Sequence, residues 1–309
     1  MADCKDMRVL VTGGTGFIGS HVVRALLARG VPVTVLCRDA QKAGAMPWSG
    51  QVEFVQGDLA RLSPKQLDHL AGHGRILHLA WEHLNAYKSN VHEEEVLPRH
   101  QEFLTQLISR GAKRLLVSGT CLEYGLREGA LTEELAPQPT TAYGRAKDAL
   151  RRALEPLCAE SGTALQWVRL FYMHGPGQSE KSLLSQLDRA IQNNMLEFDM
   201  SGGEQLRDYL PVEDVADILV RVTAQSVVTG VINCASGHPV TVRALVEAHL
   251  RLHRAAMRLN LGRYPYPDYE PMSFWGDTTK LAAALAAGDA QDIRCKGIAH
   301  GKDGYRGRS

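Results

Sequence analysis

The segment that most constrains this chain is Thr12-Gly13-Gly14-Thr15-Gly16-Phe17-Ile18-Gly19. It follows Met7–Thr12, a short apolar run of the kind that makes a buried parallel strand. It precedes Phe17–Arg29, where apolar residues recur at helical spacing until Gly30. Glycines at this spacing, between a strand and a helix, permit a tight turn, close approach of backbone to a pyrophosphate, and close helix–strand packing. The helix start then offers free N–H groups and a positive dipole end to the phosphates. The spacing predicts dinucleotide contacts from Gly13, Thr15, Gly16, Phe17, Ile18 and Gly19.

Further strands are predicted at Val33–Cys37, Val52–Gln56, Arg75–Leu79, Arg114–Ser118 and Leu165–Leu170, with helical stretches between them, notably Val91–Arg110 and Thr141–Ser161. That alternation predicts a doubly wound α/β fold of the Rossmann type, with a parallel sheet covered on both faces. After Leu170 the pattern loosens. Helices are predicted at Ser182–Asn193, Val212–Thr223 and Thr241–Arg251 and a short strand at Gly230–Cys234, while residues 264–271 are too proline-rich for a helix or a central strand. Residues 1–170 are therefore expected to bind the dinucleotide, with 205–235 returning to that domain. Residues 171–287 should form mainly a smaller substrate-binding lobe over the carboxyl edge of the sheet, and 288–309 a loosely held tail.

Bulk properties exclude several alternatives. The 35 basic and 34 acidic side chains leave a net charge of +1, which gives no electrostatic case for nucleic acid or an anionic membrane. No apolar run approaches the roughly 20 residues that span a bilayer. The polar N-terminus leads directly into a strand and does not read as a signal peptide, so a cytoplasmic location is expected. The six cysteines are scattered without CxxC spacing, as free thiols would be. His78, His83 and His92 share no HExxH-like helix face, so no metal is expected.

The chemistry-bearing residues lie at strand ends and on one helix. Where an acid at the end of the second strand would bind a ribose diol, the chain has Cys37-Arg38, with Asp39 one step later. Arg38 suits a 2′-phosphate, which favours NADP over NAD; as a solvated loop charge it would favour neither. Asp58, beside Leu59, suits the adenine amino group or an N-cap. His78-Leu79-Ala80-Trp81 ends the fourth strand, where Leu79, Ala80 and Trp81 can lie along the cofactor. Tyr143 and Lys147 are four apart on one helix face. A free tyrosine has a pKa of about 10, and a nearby ammonium stabilises its phenolate, which makes the pair suited to proton transfer. Ser118 and Thr120 lie at the end of the fifth strand, with Ser118 expected beside the cofactor and Thr120 placed to bind a substrate oxygen.

Taken together, these pieces resemble the extended branch of the short-chain dehydrogenase/reductases, the nucleotide-sugar epimerase/dehydratase family. The likeness rests on TGGTGFIG, Asp58-Leu59, His78-Leu79-Ala80, Ser118–Gly125, Tyr143…Lys147, Arg169-Leu170-Phe171, Gly175-Pro176-Gly177 and Arg207-Asp208-Tyr209, in order over residues 9–237. It implies that Tyr143 is the acid–base group, Lys147 its helper and a cofactor-ribose ligand, and Thr120 the substrate-binding hydroxyl. It also implies that Arg207 meets a phosphate of a nucleoside-diphosphate sugar, with Arg263 able to assist. An internal ion pair with Asp208 or Glu213 is the bland alternative for Arg207.

Departures from that pattern narrow the reaction. Family 4,6-dehydratases carry an Asp-Glu pair after the catalytic Thr; here Cys121 and Leu122 stand there, which argues against dehydration. Cys121 is similar to the cysteine of combined 3,5-epimerase/4-reductases and is a candidate to meet the substrate, but it has no evident partner acid in Gln178–Leu184, so a buried turn cysteine is the better reading. Tyr172 replaces an Asn common in the family, and Trp81 replaces a small residue, as either a wall of the sugar pocket or a packed core side chain. The leading expectation is an NADPH-dependent reductase of a nucleoside-diphosphate 4-keto-6-deoxyhexose, acting as a homodimer. A 4-epimerase that retains NAD is the second, and a non-catalytic dinucleotide sensor the third, against which Tyr143, Lys147 and Thr120 argue.

Overall fold

The computed structural model describes residues 8–300, with side chains through residue 289. Seven parallel strands form one sheet: β1 Val9–Thr12, β2 Val33–Cys37, β3 Glu53–Gln56, β4 Arg75–His78, β5 Arg114–Thr120, β6 Ala164–Leu170 and β7 Gly230–Cys234. Their spatial order is β7-β6-β5-β4-β1-β2-β3. Thr12 pairs with Leu36 on one side and His78 on the other. The order reverses at β1, and the crevice beyond the carboxyl ends of β1 and β4 is where such sheets receive ligands.

The helices are α1 Phe17–Ala28, α2 Ala40–Gly44, α3 Pro64–Ala71, α4 Leu97–Ser109, α5 Ala142–Ser161, α6 Leu183–Gln192, α7 Val212–Ala224, α8 Val242–Leu252 and α9 Thr279–His300. Successive strand residues point to opposite faces. Val9, Val11, Val35, Leu77, Leu116 and Val168 thus join a core with α1, α7 and α9. Leu10, Leu36, Ile76, Leu115, Val117 and Trp167 join the core under α3, α4 and α5. Each such side chain contributes about 1.5–3 kcal/mol by leaving water. A third core packs α6 against α8 through Leu184, Leu187, Phe198, Met200, Val246 and Leu250.

Two stretches differ from the sequence reading. The helix predicted over Val91–Arg110 begins as a π-helical turn, His92–Val96, and becomes α4 only at Leu97, next to Pro98, which has no N–H to give the ladder. The tail expected from Gly288 is helical in its first part, because α9 continues to His300. Apolar periodicity is absent there, but α9 is rich in alanine, the best helix former. Gly288 lets α9 lie against α7: a Cβ there would come 2.4 Å from the Arg221 carbonyl oxygen. Arg221 donates two hydrogen bonds to Asp289, at 2.8 and 2.6 Å. Residues 301–309 lie outside the described residues. No helix among the described residues is long and apolar enough to cross a membrane.

The glycine-rich turn is closed by contacts that no side chain tolerates. Gly13 has φ +74°, and a Cβ there would stand 2.7 Å from the Ala80 nitrogen. A Cβ on Gly19 would stand 2.1 Å from the Gly13 carbonyl oxygen. Gly19→Ala is therefore expected to cost more than about 1 kcal/mol by forcing backbone apart, whereas Gly44→Ala, with nothing within 4 Å of the added carbon, should be neutral or stabilising. Thermal unfolding of the two variants beside the wild type checks this, and equal midpoints would refute it.

Candidate active site

The carboxyl ends of β1, β2 and β4 wall a cleft of about 330 Å³. Gly13, Thr15, Gly16, Phe17, Ile18, Gly19, Arg38, Leu59, Leu79, Ala80 and Trp81 all line it. No side chain caps α1 and no acid stands in its first turn, so its N–H groups and dipole act on whatever occupies the cleft. Lys42, Gly57 and Glu82 line the same cleft and were not singled out by the sequence. Asp58 spends Oδ1 on the Ala60 N–H, at 2.9 Å, as the cap of a short turn. Arg38 Nη1 donates to Glu82 Oε1 at 3.2 Å.

Glu82 is held from behind by a buried chain of hydrogen bonds. Thr12 Oγ1 meets His78 Nδ1 at 2.9 Å, His78 Nε2 meets His100 Nδ1 at 2.7 Å, and His100 Nε2 meets Glu82 Oε2 at 2.8 Å. The His100 hydrogen bond, reinforced by Arg99 and Arg38, lowers the Glu82 carboxyl to about 2, against the opposing effect of burial. Burial lowers both histidines as well. His78 is visible in the sequence only as a strand end; its role in carrying β1 to Glu82 needs the partner on α4.

A second cleft, of about 420 Å³, shares Phe17, Ile18 and Leu84 with the first. Thr120, Cys121, Tyr143 and Tyr172 line it, so three segments far apart in the chain meet there. The Tyr143 phenol is pushed far above its ordinary value by burial and by the nearby Tyr87, Glu123 and Cys121, with the Thr120 hydroxyl acting the other way. Tyr87 stacks on Tyr143, with ring centres 5.4 Å apart. Lys147 Nζ donates to the Ser118 carbonyl at 2.9 Å. It lies 3.9 Å from the Trp81 ring centre and 6.0 Å from that of Tyr143. Trp81 is thus both a cleft wall and a packed partner of the ammonium. Burial lowers Lys147 to about 7, although Glu123 and Glu82 favour its charged form.

Beneath these groups lies Glu123, fully buried. Its Oε1 accepts from the Thr120 N–H at 2.8 Å and from Trp167 Nε1 at 3.0 Å; its Oε2 accepts from Arg169 Nε at 2.8 Å. Gly119 leaves the room for this, since a Cβ there would meet Trp167 Nε1 at 2.3 Å. Glu123 sits inside the SGTCLEYG motif but shows no role in one dimension, because its side-chain partners Trp167 and Arg169 come from β6.

Of the two arginines expected at a phosphate, neither is among the residues lining the second cleft. Arg207 is an internal ion pair, but with Glu270 at 3.1 Å rather than with Asp208 or Glu213. Asp208 is already occupied: Oδ1 accepts from the Ser236 N–H and hydroxyl, and Oδ2 from the Gly237 N–H. Glu270 lines the second cleft, where the fold of residues 264–271 places it. Arg263 is not among the residues lining either cleft; its Nε lies 3.8 Å from Asp199 and most of its side chain is exposed. The Tyr172 hydroxyl is buried in the second cleft near Glu270, and burial together with that carboxylate pushes the phenol well above its ordinary value. Burial pushes the Cys121 thiol up, as for a packed turn cysteine.

Residues 9–235 match the NAD dependent epimerase/dehydratase family. Among curated relatives, dTDP-6-deoxy-L-talose 4-dehydrogenase (NAD(+)) of Aggregatibacter actinomycetemcomitans is 29% identical, over 87% of this chain and 99% of the relative. The dTDP-6-deoxy-L-talose 4-dehydrogenase (NAD(P)(+)) of Kitasatospora kifunensis is 30% identical, over 84% of this chain and 83% of the relative. Among solved structures, MoeE5 in complex with UDP-glucuronic acid and NAD superposes with a TM-score of 0.76 at 26% identity, covering 94% of this chain and 99% of that one.

Lys147 gives a test of the site's electrostatics. Its folded value, about 7, lies below the unfolded value of about 10.4. Between those limits the unfolded chain holds more protons than the folded one, so this group's contribution to stability rises with pH. From pH 7 to 8.5 the gain is about 1–2 kcal/mol. Lys147→Met should flatten that part of the profile in denaturant titrations. An unchanged slope would place the ammonium in water rather than behind Trp81.

Proposed function

The chain belongs to the NAD-dependent epimerase/dehydratase family, and on that premise we propose that it reduces the C4 ketone of a nucleoside-diphosphate 4-keto-6-deoxyhexose. The observation that carries this reading is the buried Tyr143 phenol in a cleft that shares its wall, Phe17, Ile18 and Leu84, with the dinucleotide cleft. A reduced nicotinamide supplies hydride when bound, and the clearances at Gly13 and Gly19 fit the close backbone approach a dinucleotide requires.

The protein's own part is proton transfer and placement. Tyr143 is protonated at neutral pH, as an acid must be before it gives its proton to the ketone oxygen. Thr120, beside it, is suited to hold that oxygen. The Lys147 ammonium, 6.0 Å from the ring centre, favours the phenolate left behind. With hydride at C4 and the Tyr143 proton on the oxygen, the ketone would become a secondary alcohol. The names of the two curated relatives denote the reverse reaction at the same carbon of a dTDP-linked 6-deoxyhexose. Cys121 and Leu122 provide no carboxylate for water loss. Arg207 is assigned to the diphosphate, which then competes with Glu270 for the guanidinium.

Arg38 and Lys42 both line the first cleft, and these two cations, Arg38 being shared with Glu82, support NADPH as the cofactor. Asp58, with Oδ2 beyond its capping bond, is assigned to the adenine amino group.

Purified protein should consume NADPH when given a dTDP-4-keto-6-deoxyhexose and yield a 6-deoxyhexose nucleotide. Tyr143→Phe should lower kcat at least about 100-fold while cofactor binding persists. No loss of NADPH absorbance, together with epimer formation from a UDP-hexose without added cofactor, would replace reduction by epimerisation.

Arg38→Gln should weaken NADPH more than NADH by roughly 10-fold in titrations at matched ionic strength, because only NADPH carries the 2′-phosphate. Equal weakening of both would return Arg38 to a surface ion pair with Glu82.

A further inference from the structure

Away from both clefts, α6 and α8 bring together side chains that the reaction does not use. His249 lies in the last turn of α8 and His253 caps it, so the two stand one turn apart on one face. Their rings are 4.5 Å apart. Both Nε2 atoms converge on one oxygen of Asp188, from α6: His249 at 2.5 Å and His253 at 3.8 Å. All three line a cleft of about 740 Å³ that opens beside Gly175–Gly177.

We propose that Asp188, His249 and His253 form a binding site for a zinc-class divalent cation that ties α6 to α8. Two ligands at about 2.0–2.1 Å from a tetrahedral ion lie about 3.3 Å apart. The two observed separations from Asp188 Oδ1 straddle that value, and one ligand atom from each of the three residues lies within 4.8 Å of the others. Two imidazoles and a carboxylate are a donor set preferred by Zn²⁺ and its transition-metal neighbours over Mg²⁺ or Ca²⁺. Three protein ligands leave a fourth position for water in the open cleft.

The frame is rigid where it must be. α6 and α8 are joined by the third core, through Leu184, Leu187, Val246 and Leu250. Arg189, the cation next to Asp188, is paired with Glu180 at 3.1 Å and leaves the carboxylate to the histidines. A second triad, Glu53, His69 and His73, lacks this freedom. There His73 Nε2 is engaged by Thr34 and its Nδ1 by the carbonyls of His69 and Leu70, and Glu53 already accepts from Thr34 and meets His69. It serves as an internal control. An ion at the α6–α8 site would also brace the connector before α6, whose Gln178, Ser179, Lys181 and Ser182 line the substrate cleft.

The test uses the full chain without an affinity tag, stripped of metal by chelation. Titration with Co²⁺ should give the visible absorption of a tetrahedral N/O site, saturating at one ion per chain, and Zn²⁺ should displace it. His253→Asn and Asp188→Asn should each weaken binding at least about 10-fold, the minimum seen when even an outer partner of a metal ligand is lost. His69→Asn should leave binding unchanged, and saturating Zn²⁺ should raise the thermal midpoint of the wild type but not of His253→Asn. Because His249 also packs against Asp188, the more exposed His253 is the decisive position. No saturable binding by the wild type, or binding that survives His253→Asn, overturns the proposal, as does binding lost in His69→Asn.

Discussion

The site depends on one buried carboxylate. Glu123 accepts from the backbone at the end of β5 and from two side chains of β6, and so it locks the carboxyl ends of the two strands that carry Thr120 and Arg169. A buried charge is tolerated only when it is paired and hydrogen-bonded, and both oxygens are used here. Arg169 in turn lies 4.3 Å over the Tyr124 ring, whose hydroxyl reaches Asn233 on β7. The chain of contacts thus spans β5, β6 and β7 and sets the floor on which the Tyr143 helix rests. Gly144 allows that rest, since a Cβ there would stand 2.8 Å from the Leu122 carbonyl oxygen.

The same carboxylate shapes the proton chemistry above it. Its negative charge opposes the phenolate of Tyr143 and favours the ammonium of Lys147, while burial acts against both charged forms. The phenol is thereby kept protonated and the lysine is brought down to about 7. Trp81, packed over the ammonium, adds to that burial and attracts the cation through its ring face. The electrostatics of the pair therefore come from elements that the four-residue spacing does not contain.

Much of the fold was legible because it is local. Val33–Cys37 and Gly230–Cys234 appear with the predicted bounds, since short apolar runs between turn residues have few other outcomes in a sheet buried on both faces. The glycine-rich turn was legible because only glycine fits its contacts. Less legible were features whose partners are distant. Arg207 meets a carboxylate 63 residues away, and its sequence neighbour Asp208 is consumed by the amides of Ser236 and Gly237. Histidine spacing alone passed over His249 and His253 because their third partner, Asp188, is 61 residues from His249. The helix running past Gly288 was missed because alanine propensity and a close helix contact, rather than an amphipathic stripe, hold it.

By itself the sequence determined the strand and helix alternation, the glycine-rich turn between β1 and α1 and the shared helix face of Tyr143 and Lys147, because period, glycine clearance and helix spacing are short-range properties of the chain. Only the tertiary structure decided which charges are spent inside the protein and which face a cleft. Glu123, Glu82 and Glu270 look alike in one dimension. One is sealed beneath Thr120, one is carried to the first cleft by His78 and His100, and one lines the second cleft and pairs with the buried Arg207. Charge pairing and desolvation depend on neighbours brought together by packing, and those neighbours exist only once the sheet has closed over its helices.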